Sequence, residues 1–287
     1  MGRRETVLSL AGLGAASDRV VARNYDDPAG PCFTDSYAAD RRAADDLRVV
    51  TFNVKFSRRV DRAIEVLRTE PPLQNADVLV LQEMTEAAVD RIARALSLNY
   101  VYYPSAVHPR TGANFGNAVL SPWPIEESRK LILPHRSRVN GLQRAAVGAT
   151  LSVAGERIRV YGVHLETAIG ITRRERRAQA ASIVEDARGF RGPVVVGGDF
   201  NNQGIGRFLE ANGFVWATKG GRRTIAWFAW DHVFARGLRL RTPWSFGVVR
   251  HKRKASDHHP AWVSLVADPR GAQSATREAR RWGDESI

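Results

Sequence analysis

Eight side chains in this sequence are of the types that handle hard metal ions and phosphate esters: Asn53, Glu83, His164, Asp199, Asn201, Asp231, Asp257 and His258. The set is rich in oxygen, poor in imidazole and free of cysteine, which points to Mg2+ or Mn2+ rather than to structural zinc. Mg2+ keeps several of its waters and uses one or two carboxylates, so Glu83 with Asp257 or Asn53 suffices as its protein ligands. A hard metal, an amide and a histidine together suit hydrolysis of a phosphate ester. The metal neutralises a phosphoryl oxygen, a carboxylate positions and deprotonates water, and a histidine backed by an acid stabilises or protonates what develops. Plainer readings stand beside these: Asn53 as a strand-end cap, Asp231 as a surface turn acid, His164 as a satisfied core histidine.

These residues fall at the ends of apolar runs. Pro193-Val-Val-Val-Gly-Gly-Asp-Phe-Asn-Asn202 reads as a short core strand that turns at two glycines and delivers Asp199 and Asn201. Leu47 to Val54 alternates like a strand and ends near Asn53, while Asp77 to Glu83 is apolar for four residues and then presents Gln82 and Glu83. Residues 145–153 and 157–165 read as a hairpin whose second arm closes on His164. Trp230 to Phe234 begins a strand with Asp231, and Ser256-Asp-His-His-Pro260 leads into a last strand over Ala261 to Val266. Further strands are expected over Tyr100 to Ala106 and Asn114 to Ser121. Helical spacing appears over Val60 to Thr69, Ala87 to Leu98 and Thr172 to Ala187, with a short helix and turn over Phe208 to Phe214. Many short strands with few helices argue for mixed sheets packed face to face with helices outside. His232 and His259, Asn117 and Ser121, and Tyr102 and Tyr103 are read as structural.

The chain has 287 residues, 44% of them hydrophobic, enough for one large domain with frayed ends. The boundaries are a leader and extended lead-in over 1–46, a body over 47–267 and a flexible polar tail over 268–287. Lys and Arg number 43 against 30 Asp and Glu, a net charge of +13, which favours polyanionic partners. Basic clusters at 173–177, 222–223 and 250–254 can track a nucleic-acid backbone, with Arg250, Lys252 and Arg253 as substrate-binding residues beside Asp257 and His258. The same clusters can dock an anionic membrane, with Trp227, Phe228 and Trp230 in the headgroup region. The single Cys32 excludes an intramolecular disulfide. No run approaches the length of a spanning helix. Arg3-Arg4 followed by a weakly apolar stretch resembles a twin-arginine export signal, but Glu5 interrupts it, and a soluble cytoplasmic protein is favoured over an exported one. A monomer without an obligate protein partner is expected.

The ordered set Thr51-Phe-Asn53, Leu81-Gln-Glu83, Gly116-Asn-Ala-Val-Leu-Ser121, Val163-His-Leu165, Gly197-Gly-Asp-Phe-Asn201, Asp231-His-Val-Phe234 and Ser256-Asp-His-His-Pro260 resembles the DNase-I-like endonuclease/exonuclease/phosphatase family. Each motif alone is weak; their order from about residue 47 to 266 is specific. The resemblance implies a four-layered α/β sandwich, two packed mixed β-sheets flanked by helices, with divalent-metal phosphoesterase activity. On the matching positions it implies Glu83 as principal metal ligand with Asn53 beside it and Asp257 as a second acidic contributor. It implies Asp199 aligning or activating water, Asn201 and His164 contacting phosphate, and Asp231 orienting His258. The family spans nucleases, sphingomyelinases and inositol phosphatases, so the fold leaves the substrate open. The aromatic Thr224-Ile-Ala-Trp-Phe-Ala-Trp230 departs from the pattern of abasic-site enzymes. The leading expectation is a nucleic-acid phosphodiesterase, the rivals a sphingomyelinase-like phospholipase C and a non-catalytic module of the same fold.

Overall fold

A computed structural model describes residues 21–38 and 46–268. The twin-arginine stretch and the tail beyond Asp268 lie outside the described residues. In chain order the elements are β1 (Arg23–Asn24), β2 (Phe33–Asp35), β3 (Leu47–Asn53), α1 (Val60–Thr69), β4 (Val78–Met84), α2 (Glu86–Leu96), β5 (Asn99–Val107) and β6 (Asn114–Ser121). Then follow β7 (Ile125–Ile132), β8 (Ala145–Val153), β9 (Glu156–His164), α3 (Arg173–Arg188), β10 (Val194–Asp199) and α4 (Ile205–Glu210). The last elements are β11 (Val215–Trp216), β12 (Asp231–Arg236), β13 (Leu238–Leu240), β14 (Phe246–Val248) and β15 (Ala261–Ala267).

Two sheets form. The first runs β1-β5-β6-β4-β3-β15-β13, with β2 on β5 and β14 on β15; the second runs β11-β12-β10-β9-β8-β7. The central strands are apolar on both faces because both are covered, and their residues sort by parity. In β3 and β4, Val49, Val78 and Val80 point between the sheets, while Val50, Phe52, Leu79 and Leu81 meet α1 and α2. In β9 and β10, Val160 and Val195 point between the sheets, while Tyr161, Val163, Val194 and Val196 meet α3 and α4. The result is helix, sheet, sheet, helix: the four-layered sandwich expected. α3 starts at a capping box, Thr172 accepting from the Glu175 amide and Glu175 from the Thr172 amide, which satisfies two of its free N–H groups.

Some elements differ from expectation. β7 was not anticipated, because Glu126, Glu127 and Arg129 break its apolar pattern; as the edge strand of its sheet it pairs those charges with Arg157 and Asp186. The expected helix at 208–214 begins three residues earlier, and its C-terminal turn reverses at Gly213 (φ 84). The described part of the lead-in adds β1 and β2 to the edge of the first sheet against β5. A further short strand, β14, precedes the basic run and pairs Val248 with Ala261.

Gly198 is fixed by close approach. A Cβ there would sit 1.9 Å from the Val163 carbonyl oxygen of neighbouring β9, so any side chain forces the two central strands apart one residue before Asp199. Gly198→Ala is therefore expected to destabilise the protein by about 3 kcal/mol, in the range of overpacking plus backbone strain. Chemical denaturation checks it; an unchanged midpoint would mean that β9 and β10 separate freely.

Candidate active site

Strand register assembles the second sheet's share of the site. Asp199 pairs with His164 across the parallel β9–β10 ladder and with Asp231 across the antiparallel β10–β12 ladder, so three strand ends place His164, Asp199 and Asp231 side by side. The first sheet supplies the rest. Asn53 ends β3, Glu83 lies near the end of β4, and Asp257 and His258 precede β15, whose first residue pairs with Thr51. The β4–β6 register shifts between Leu81 and Met84, and Glu83 takes a left-handed conformation (φ 60) inside that irregularity. A bulge of this kind re-aims one side chain, and here it lets Gln82 bond Thr51 while Glu83 turns to Asn53. Lys55, Phe56 and Ser57 are also left-handed in succession, a conformation costing on the order of 1–3 kcal/mol per non-glycine residue. The strained turn returns a contact: the Phe56 amide donates to Glu83 Oε2 at 3.1 Å.

Asp199 is the hub. Its Oδ2 accepts from Asn53 Nδ2 at 3.1 Å and lies 3.5 Å from His164 Nε2 and 3.7 Å from His258 Nε2; its Oδ1 accepts from the Asn201 amide at 2.9 Å. Asn53 Nδ2 also donates to Glu83 Oε1 at 3.1 Å, linking the two sheets' carboxylates. His258 Nδ1 is bonded to Asp231 Oδ2 at 2.8 Å, the acid–imidazole pair expected, and the other Asp231 oxygen is buried without a partner. Asn201 Nδ2 donates to the Leu165 carbonyl at 2.9 Å, holding the turn after β10 against the end of β9. Asp257 is half exposed and ion-paired with Lys55 at 2.8 Å.

Burial and charge set the protonation states. Burial pushes the Asp199 carboxyl up to about 7; His258 opposes that rise and Asp231 adds to it. Burial also raises Glu83, against the Asn53 hydrogen bond and the Arg144 charge. Burial resists a charge on His258, but the Asp231 and Asp199 carboxylates outweigh it and push the imidazole up to about 10. His164 is held well below its ordinary value by burial, and by Arg144 and His258. The two histidines therefore differ: one is an imidazolium at neutral pH, the other neutral.

Glu83, His164, Asp199, Asn201, Asp257 and His258 line a cleft of about 250 Å³; Asn53 and Asp231 do not reach its wall. Several of its walls were not anticipated. Arg144 and Glu166 form a buried ion pair at 2.8 Å, and Arg144 NH1 lies 3.0 Å from His164 Nδ1. A guanidinium only donates, so His164 Nδ1 accepts and the ring proton sits on Nε2, facing Asp199. Lys55, Phe56, His108, Phe115 and Trp230 complete the lining. The one local signal for Arg144 is an arginine at the mouth of the apolar run that becomes β8. Arg250, Lys252 and Arg253, by contrast, do not line the cleft: Arg250 is exposed, Lys252 reaches the Asp257 carbonyl, and Arg253 is paired with Glu65 at 3.0 Å. His232, read as structural, is bonded to Trp216 and Thr218, and His259 bonds the Val249 carbonyl. A larger groove of about 650 Å³ between the C-terminal ends of α1 and α2 holds no carboxylate or imidazole.

The donor set fits a hard divalent cation. Glu83, half-buried, and Asp199, buried, are carboxylates whose charge burial disfavours, and Asp231 keeps an unpartnered oxygen, so the cleft is short of positive charge. One ligand atom each from Asp199, Asp231 and His258 lies within 4.8 Å of the others, yet His258 is charged and bound to Asp231. The Glu83, Asn53 and Asp257 oxygens each accept one hydrogen bond or ion pair and keep a lone pair for a cation.

A model of the Endonuclease/Exonuclease/phosphatase family matches residues 50–258, a span that holds all eight candidate residues. The chain belongs to the endonuclease/exonuclease/phosphatase family. Among solved structures, a family member from Beutenbergia cavernae is similar at 21% identity and TM-score 0.62, over 78% of this chain and 72% of that one. D. rerio TDP2 complexed with single strand DNA product is similar at 15% identity and TM-score 0.60, over 77% and 99%. A Bacteroides thetaiotaomicron mannosyl-6-phosphatase is similar at 17% identity and TM-score 0.56, over 77% and 99%. At these identities the likenesses establish the shared fold. No curated protein matches the sequence significantly. As a member of this family, the chain is a phosphoester hydrolase of the divalent-metal-dependent kind.

The Asp231–His258 pair makes a pH prediction. His258 must be protonated to donate, and Asp231 is the largest contribution holding its proton on to about pH 10. Replacing Asp231 by Asn removes that charge, lowers the folded-state pKa and moves the alkaline limb of kcat/KM to lower pH by at least about one unit. A pH–rate profile with the limb unmoved would sever His258 from the reaction.

Proposed function

We propose that this protein is a divalent-metal-dependent phosphodiesterase acting on nucleic acid. The observation that carries the reading is the convergence on Asp199 of Asn53, His164 and the Asp231–His258 pair, next to a half-buried carboxylate, Glu83, suited to a hard cation. A Mg2+ or Mn2+ ion held by Glu83 with Asn53 and Asp257 would neutralise charge on a phosphoryl oxygen. Asp199, its carboxyl raised toward neutrality, accepts a proton from the attacking water. His258, an imidazolium backed by Asp231, and His164, a neutral ring whose Nε2 carries its proton, present donors to the phosphate from the turn before β15 and the end of β9. Asn201 fixes the turn that aims Asp199, and its second amide proton would be the donor to the phosphate.

The nucleic-acid substrate is supported by the net charge of +13, by exposed Arg250 and Lys254 beside the catalytic Asp257-His258 step, and by the single-stranded DNA product bound to TDP2 in a structure of the same fold. A second reading, a phospholipase C of the sphingomyelinase kind, is favoured by the exposure of Trp227 and Phe228.

Glu83→Ala, Asp199→Ala and His258→Ala are each expected to cut Mg2+-dependent turnover by about a thousandfold or more while the protein stays folded. Cleavage of plasmid DNA, single-stranded DNA, RNA, sphingomyelin vesicles and inositol phosphates, with circular dichroism as the folding control, checks this. Robust activity in all three variants would sink the mechanism, and hydrolysis confined to lipid would shift the substrate to the second reading.

A further inference from the structure

Seven large apolar side chains are exposed among the described residues, and their distribution is uneven. Val139, Ile169, Trp227 and Phe228 lie on three loops whose neighbours Asn140, Thr167, Ile225 and Trp230 line the catalytic cleft, and Val21 sits against Gly141 of the first of these loops. Val215 and Trp244 lie elsewhere, flanked by residues that line no part of the cleft. Five of seven at one mouth is a patch rather than the scatter normal for a soluble surface.

The patch is held in place. Ile225 and Phe228 exchange both backbone hydrogen bonds, at 3.0 and 2.7 Å, around a tip of Ala226 and Trp227, the latter 75% exposed. The hairpin is rooted on catalytic ground: Thr224 Oγ1 accepts from the Trp230 and Asp231 amides, and the His259 amide donates to the Thr224 carbonyl. Phe228 stacks on Trp230, ring centroids 4.8 Å apart, and the Arg223 guanidinium lies 5.0 Å over Trp227. Across the cleft the Arg138 amide donates to the Gly170 carbonyl, tying the Val139 loop to that of Ile169, which is 83% exposed. Arg173, Arg174, Arg222 and Arg223, all exposed, stand close in sequence to these apolar residues.

We propose that the mouth of the site docks on an anionic membrane surface, with Trp227, Phe228, Ile169 and Val139 in the interfacial layer and the neighbouring arginines at the headgroups. Aromatic rings flanked by arginines suit the headgroup level, and basic residues beside an apolar rim are drawn to anionic lipid. The aliphatic members decide against a nucleobase platform: valine and isoleucine offer no flat face for a base to stack on, yet bury well among acyl chains. The proposal concerns where the site works and holds whichever phosphodiester is cut, so its test needs no turnover.

The test is co-sedimentation of the full chain with vesicles of phosphatidylcholine alone and of phosphatidylcholine with phosphatidylglycerol, at low and high salt. Binding is expected to the anionic vesicles, to weaken with salt, and to fall at least roughly tenfold in the double variant Trp227→Ser/Phe228→Ser and in Ile169→Ser. Trp244→Ser, equally exposed but away from the mouth, is expected to bind like the wild type. Absence of vesicle binding, or equal loss in Trp244→Ser, would overturn the proposal. So would a double variant that keeps vesicle binding but loses affinity for a single-stranded oligonucleotide.

Discussion

Everything in this structure answers to one constraint: carboxylates are gathered where water is scarce. Glu83, Asp199 and Asp231 are buried or nearly so, and Asp257 closes the cleft beside them. Like charges at this range cannot all remain ionised without cations to offset them. The protein supplies some of that charge itself. His258 holds its proton against Asp231, Lys55 meets Asp257, and Arg144 is set against Glu166 and His164. The balance that remains unmet at Glu83 and Asp199 is the electrostatic case for a hard cation and for the chemistry proposed.

The sandwich serves that constraint by bringing together, at one edge of the two sheets, the C-terminal ends of β3, β4, β9 and β10 and the N-terminal ends of β12 and β15. Residues sorted by parity keep both faces of β3, β4, β9 and β10 dry, so the polar groups that interrupt them can emerge only at the ends. Gly198 keeps β9 and β10 close enough for Asp199 to sit beside His164, and the irregularity in β4 turns Glu83 toward Asn53. The left-handed run at Lys55, Phe56 and Ser57 places an amide on Glu83. Other irregularities, such as the register shifts in β5–β6 and β7–β8, lie outside these positions.

Much of this was legible in the residues. A carboxylate or amide after a buried apolar run marked Asn53, Glu83 and Asp199, because strand ends are where a polar side chain can leave a dry layer. The charged edge strand β7 was hidden because a strand with one open side need not alternate as a core strand does. Arg144 and Glu166 were hidden for a different reason: each is set by a partner across β8 and β9, and no local spacing records that meeting. The basic run at 250–254 shows a further limit, since the sequence records a cluster of charge but not that Arg253 is held by Glu65 of α1 while Arg250 and Lys254 stay exposed. The aromatic run at 224–230 was visible as composition, whereas its place at the mouth, opposite Ile169, is a property of the assembled fold.

The central claim is that carboxylates led by Glu83 form a divalent-cation site in the cleft. Calorimetric titration of Mg2+ and Mn2+ into the wild-type protein and into Glu83→Gln, a near-isosteric change that removes the charge, tests it without reference to substrate. A wild-type binding isotherm that is lost or weakened at least tenfold in Glu83→Gln is the predicted result. Equal binding by both proteins, or none by the wild type, would contradict it.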